Sequence, residues 1–129
     1  AETAYDGCIL IVDDEETVRI VAGEMLRAFG FDVVTANDGV EGLKQFREMS
    51  GQIRLVLLDL TMPNMDGAET FREIRQIDQD ARALLMSGFN EQEAINRFAG
   101  KGLAGFIQKP FKADTLRAKI EEVLSSSPD

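Results

Sequence analysis

Four short segments of this chain have the residue types and spacing to do chemistry. One apolar run ends in Asp13-Asp14-Glu15-Glu16 and another ends in Leu57-Leu58-Asp59. Met86-Ser87-Gly88 and Gln108-Lys109-Pro110-Phe111 close two more runs. A carboxylate directly after an apolar run is costly to bury unless a partner offsets it. If the first two runs are neighbouring strands, Asp13, Asp14 and Asp59 converge, and like charges that close need a cation. Oxygen-only ligands suit Mg²⁺, which takes one or two carboxylates, keeps waters and completes its shell with phosphate oxygens. Asp59 can then form an aspartyl phosphate. The metal and Lys109 would neutralise its phosphoryl oxygens, and Ser87 would donate a hydrogen bond to one of them. Taken singly, each residue has a plainer explanation. Acids favour helix N-termini, which suffices for Glu15 and Glu16. Serine is a common cap and lysine a common surface residue. The set, not any member, points to phosphoryl chemistry.

The elements that must position this set follow from periodicity. Apolar runs at 8–12, 33–36, 53–58, 83–86 and 103–107 read as strands. Several are apolar on both faces, as strands covered on both sides must be. The runs at 33–36 and 103–107 are more mixed, which suits edge strands. Between them lie helical spacings. Val18, Val21, Met25, Leu26 and Phe29 form the first, with Gly30 as its C-terminal stop. A second helix begins at Asp38 with Val40, Leu43 and Phe46 inward, and a third near Gly67 with Phe71, Ile74 and Ile77. A fourth spans 91–99 with Ile95 and Phe98 inward, and a fifth runs from Ala113 with Leu116, Ile120, Val123 and Leu124. Strand and helix alternating in this way predict an α/β fold, a five-stranded parallel sheet with helices on both faces. In such sheets ligands bind at the carboxyl ends of the strands, where the four acidic, hydroxyl and lysine segments fall.

Composition narrows the chemistry further. The chain has 129 residues, which fits a single domain with a core over about 7–124 and short polar ends reading as linker and tail. It contains no histidine, which removes Ser-His-Asp triads, histidine-ligated zinc and any phosphohistidine role of its own. A histidine in phosphate chemistry must therefore belong to a partner. The formal charge of −9 argues against binding a nucleic-acid backbone. One cysteine, Cys8, allows no internal disulfide and reads as a small buried hydrophobe. No apolar stretch is long enough to span a membrane and no secretion signal opens the chain, so direct membrane contact is not expected and a reducing cytoplasm is.

The segments together resemble the response-regulator receiver domain of two-component signalling. The resemblance rests on residues 9–15, on Leu57-Leu58-Asp59-Leu60-Thr61-Met62-Pro63-Asn64-Met65-Asp66-Gly67, on residues 85–88, and on Gly105-Phe106-Ile107-Gln108-Lys109-Pro110-Phe111. It implies strand order 2-1-3-4-5, a flavodoxin-like arrangement. It implies Asp59 as phosphoacceptor, and Asp13, Asp14, Asp59 and the backbone carbonyl of Thr61 as ligands of Mg²⁺, for which Mn²⁺ substitutes. Ser87 and Lys109 would contact the phosphoryl group, and the Lys109–Pro110 bond would be cis. Phe106 would stand at the aromatic switch position, turning inward as Ser87 moves, though it lacks the hydroxyl of the more usual tyrosine. Met62, Pro63, Asp66 and Gly67 would shape the loop after the acceptor.

The implied partner is a histidine kinase or phosphotransfer protein carrying phosphohistidine. The implied function is a phosphorelay signalling domain with slow autodephosphorylation and no enzyme activity on another substrate. The segment 86–111 is similar to receivers fused to hybrid sensor histidine kinases, and a stand-alone response regulator is the alternative. An aspartate-nucleophile phosphohydrolase is disfavoured, because Thr61 stands where those enzymes need a second acid. A phosphorylation-independent pseudo-receiver is disfavoured because every acid and the lysine are present. A nucleotide-binding fold lacks its Gly-rich loop.

Overall fold

The computed structural model describes residues 7–62, 65–88 and 105–125. Strands β1 (Cys8–Val12), β2 (Asp32–Ala36), β3 (Ile53–Asp59), β4 (Ala83–Ser87) and β5 (Phe106–Gln108) form one parallel sheet in the order β2-β1-β3-β4-β5. Helices α1 (Glu16–Phe29), α2 (Gly39–Glu48), α3 (Gly67–Ile77) and α4 (Ala113–Ser125) accompany it. The expected helix at 91–99, and the expected first strand residues 103 and 104, lie outside the described residues.

The strand period of two divides the core in two. Leu10, Val12, Val56, Leu58 and Leu85 meet Leu43 and Phe46 of α2 and Phe71 and Ile74 of α3. Ile9, Ile11, Leu55, Leu57, Leu84 and Met86 meet Ala22 and Leu26 of α1 and Leu116, Ile120 and Val123 of α4. Consecutive residues of the central strands thus serve opposite layers, which is why these strands are apolar throughout. The edge strands are mixed as expected: β2 exposes Asp32 and Thr35, and β5 exposes Gln108.

Helix ends follow their local chemistry. Gly30 takes a left-handed conformation at φ 112°, and Phe31 N–H donates to Leu26 O, so α1 stops where the glycine allows the reversal. Asp38 and Asp66 cap α2 and α3 by accepting from the backbone N–H groups of Glu41 and Glu69. One expectation fails on α2. Val40 is 57% exposed, not inward. The inward stripe is Gly39, Gly42, Leu43 and Phe46. A Cβ on Gly42 would stand 2.9 Å from Val12 Cγ2, so a glycine takes the place in the stripe that hydrophobicity assigned to the valine. Among the described residues no helix is long and apolar enough to cross a membrane.

Candidate functional site

Strand register builds the site. Val12 pairs with Leu58 and Asp59 pairs with Met86, so Asp13, Asp59 and the end of β4 meet at one edge. Asp59 is the last residue of β3 and is 3% exposed. The chain leaves it under tight control: Leu60 N–H donates to Met86 O at 2.8 Å and Gly67 N–H donates back to Leu60 O at 2.9 Å. Gly67 packs on that backbone so closely that a Cβ would lie 2.5 Å from the Asp59 carbonyl oxygen. This is the physical reason for the Asp66-Gly67 pair, one residue capping α3 and the next admitting the turn. Pro63 and Asn64 lie outside the described residues.

Asp13 is fully buried just beyond β1. Its Oδ1 accepts from Glu15 N–H at 2.8 Å, and its backbone carbonyl accepts from Arg19 Nη1 at 2.8 Å. Asp14 is exposed. Oxygens of Asp13, Asp14 and Asp59 all lie within 4.8 Å of one another. Lys109 reaches them from the loop after β5. Its backbone N–H donates to Ser87 O at 2.7 Å, and the Lys109–Pro110 peptide is cis. Its ammonium stands 3.2 Å from Asp13 Oδ2, 3.4 Å from Asp59 Oδ1 and 3.0 Å from Glu15 Oε1.

An open cleft of about 480 Å³ lies over these groups, lined by Asp14, Glu15, Asp59, Thr61, Gly88 and Lys109. Asp13 and Ser87 are buried and do not line it. Thr61 is exposed on the cleft wall, and its backbone N–H bonds the Asp59 carboxylate. Phe106 is the one expected site residue that stands apart. Its side chain is buried with Leu85 in the α2/α3 layer. An aromatic ring with no hydroxyl has no polar group to keep in water.

The electrostatics show a site short of positive charge. Burial, then the neighbouring Asp13 charge, push the Asp59 carboxyl up to about 7, against the pull of Lys109 and the Thr61 N–H. Burial also raises Asp13, opposed first by the Glu15 N–H and then by Lys109. Burial works against the Lys109 ammonium, but Glu15, followed by Asp59 and Asp13, outweighs it and holds the lysine above its usual range. One ammonium is thus shared among three carboxylates while Asp14 adds a fourth nearby. Oxygen donors in this number, around an acid whose charge is poorly offset, fit a hard divalent cation such as Mg²⁺.

Residues 9–121 match the family model for the response regulator receiver domain. The chain belongs to that family. As a receiver domain of two-component signalling it is 37% identical to the chemotaxis protein CheY of Bacillus subtilis, over 91% of this chain and 97% of that protein. It is 33% identical to the sensor kinase CckA of Brucella abortus over 90% of this chain, which spans 12% of that kinase. The crystal structure of the receiver domain from the hybrid histidine kinase CckA superposes with a TM-score of 0.77 at 34% identity, covering 92% of this receiver and 100% of that chain. CheY of Borrelia burgdorferi, in a complex with CheX, BeF₃ and Mg²⁺, superposes with a TM-score of 0.86 at 28% identity, covering 93% and 90%.

Glu15 is the residue that sequence reasoning passed over. Placement at a helix start does not account for it: its side chain makes no capping hydrogen bond and accepts from Lys109 instead. No local pattern signals this, since the two residues are 94 positions apart.

Proposed function

We propose that Asp59 accepts a phosphoryl group from a phosphohistidine on a partner protein. The observation that carries this reading is the convergence of a buried acid, two further acids and a lysine on one cleft at the carboxyl edge of the sheet. An Asp59 oxygen attacks phosphorus, forming a P–O bond as the P–N bond to the partner imidazole breaks and the imidazole nitrogen leaves with the bonding pair. Lys109, held in place by its own backbone bond to Ser87, offsets the charge that gathers on the phosphoryl oxygens. Ser87, beside it at the end of β4, is the candidate hydroxyl donor once the group is present. Mg²⁺ or Mn²⁺, held by Asp13, Asp14, Asp59 and the Thr61 carbonyl, supplies further positive charge at these oxygens when bound. Slow hydrolysis of the acyl phosphate is assigned to the same cleft, which Thr61 and Gly88 leave open to water.

A partner has a surface to approach. Beside the cleft a groove of about 440 Å³ is lined by Val18, Val21 and Ala22 of α1 with Pro110 and Phe111, and it shares Glu15, Gly88 and Lys109 with the cleft. Val21, which lines it, is an exposed apolar side chain, as is Ile20 one position earlier in α1. A partner carrying phosphohistidine that docks there would lie beside the cleft that Asp59 lines.

Two contexts are supported by different relatives. Likeness to the CckA receiver supports a receiver within a hybrid sensor kinase, a cytoplasmic module. Likeness to CheY over 97% of that protein supports a stand-alone regulator. The coding sequence on either side of this segment decides between them. In either context Phe106 and Ser87 are the proposed switch pair. Beryllofluoride should therefore shift the amide signals of Phe106–Gln108; unchanged signals there would remove the pair from any switch.

Intact-mass measurement after incubation with Mg²⁺ and a small phosphodonor tests the central reading. One base-labile phosphoryl group is expected on the wild type and none on Asp59→Asn. Equal labelling of both would sink the assignment.

A further inference from the structure

Glu15 stands where α1 begins, and an acid there is ordinarily explained by capping or by the helix dipole. It caps nothing. Its Oε1 accepts from the Lys109 ammonium at 3.0 Å, the shortest of that ammonium's three carboxylate contacts. The three differ in where they sit. The side chains of Asp13 and Asp59 are 0% and 4% exposed, and that of Glu15 is 60% exposed. The lysine therefore has two fixed counter-ions inside the site and one at its mouth that is free to leave. Glu15 also lines both the cleft and the neighbouring apolar groove.

We propose that Glu15 is a specificity-determining residue, an anionic gate that holds Lys109 while Asp59 is unmodified and disfavours small, highly charged phosphodonors relative to a phosphoryl group brought by a docked protein. This rests on the reading of Asp59 as phosphoacceptor. An entering dianion meets the Glu15 carboxylate and finds Lys109 already engaged. Two unit charges of like sign about 4 Å apart in water cost roughly a factor of five in an equilibrium or rate, and a dianion is affected more. A protein partner meets the same charge but also buries apolar surface on Val18, Val21 and Phe111 of the groove, and that attraction offsets the repulsion from Glu15. Discrimination arises because only the small donor lacks a compensating surface.

The test uses the whole chain with saturating Mg²⁺ and compares wild type with Glu15→Gln, whose fold is checked by a thermal melt. Second-order phosphorylation rates are measured with acetyl phosphate, a dianion at neutral pH, and with phosphoramidate, which carries less charge. Glu15→Gln should react roughly fivefold faster or more with acetyl phosphate at low ionic strength, with a smaller gain for phosphoramidate. Both gains should shrink as salt rises. Equal rates for the two proteins, or a gain alike for both donors and indifferent to salt, would overturn the gate. A slower Glu15→Gln would also overturn it, since Glu15 would then be positioning Lys109 for reaction. Labelled proteins with equal rates would remove the gate alone. A folded wild type that takes no label from either donor would remove the phosphoacceptor reading with it.

Discussion

Leu58 and Asp59 are adjacent in β3 and almost equally hidden from solvent, at 0% and 3% exposed, yet they act on the fold in opposite directions. Leu58 and its neighbours Leu55, Val56 and Leu57 fill the two layers against the helices. Asp59 is buried against Asp13, with one shared ammonium 3.4 Å away. The strand thus passes within one residue from side chains that stabilise the domain to one that is costly to ionise. The site is left short of positive charge, with one ammonium among three carboxylates. That is the general pattern of functional sites, where local stability is given up for chemistry.

The sharpest way to test the contrast is to shorten the apolar side. Leu57→Ala, in the α1/α4 layer, should lose about 2–5 kcal/mol in urea unfolding. A loss under about 1 kcal/mol would mean the central strand is not the rigid support that the site requires.

The acidic side should respond to pH in the opposite sense from an ordinary salt-bridged acid. With its pKa raised from 3.8 to about 7, the folded protein holds the Asp59 proton more tightly than the unfolded chain does. Stability from this group is complete below about pH 4 and is lost as pH rises through 7, by up to about 4 kcal/mol. In metal-free buffer, Asp59→Asn should therefore exceed the wild type in stability at pH 8 and converge with it near pH 4. A wild type that gains on the variant as pH rises would reverse the sign assigned to the site.

Metal should narrow the same gap. Mg²⁺ at one hundred times its dissociation constant should raise wild-type stability by about 2.7 kcal/mol. Asp14→Asn should be more stable than the wild type without metal and should respond less to it. A thermal melt indifferent to millimolar Mg²⁺ would show that Asp13, Asp14 and Asp59 are not a metal site.

The smallest effect is expected on α2, where exposure and apolarity part company. Val40→Ser should change stability by about 0.5 kcal/mol or less, while Phe46→Ala on the inward stripe should cost about 3–5 kcal/mol. Comparable losses at the two positions would return Val40 to the core.

The alternation of strands with helices and the acidic carboxyl edge were legible in the chain, because strand runs, Gly30 and the capping Asp38 act over a few residues; sheet order came only with the family resemblance. Asp13, Asp14, Asp59 and Lys109 were legible as a group because the carboxyl ends of parallel strands share one edge. Val40 was misplaced because hydrophobicity cannot see a stripe made of Gly39 and Gly42, whose fitness lies in contacts with Thr70, Met65 and Val12 on other elements. That the Phe106 ring packs beside Leu85 is seen only in the folded chain. The competition of Asp13, Asp59 and Glu15 for one ammonium, and the raised Asp59 pKa that burial and the Asp13 charge produce, likewise belong to the folded state. Residue type and spacing determined which groups reach the edge of the sheet. Distance, burial and charge sharing between residues up to 96 positions apart decided what those groups do to one another, because electrostatic coupling depends on separation in space and not along the chain.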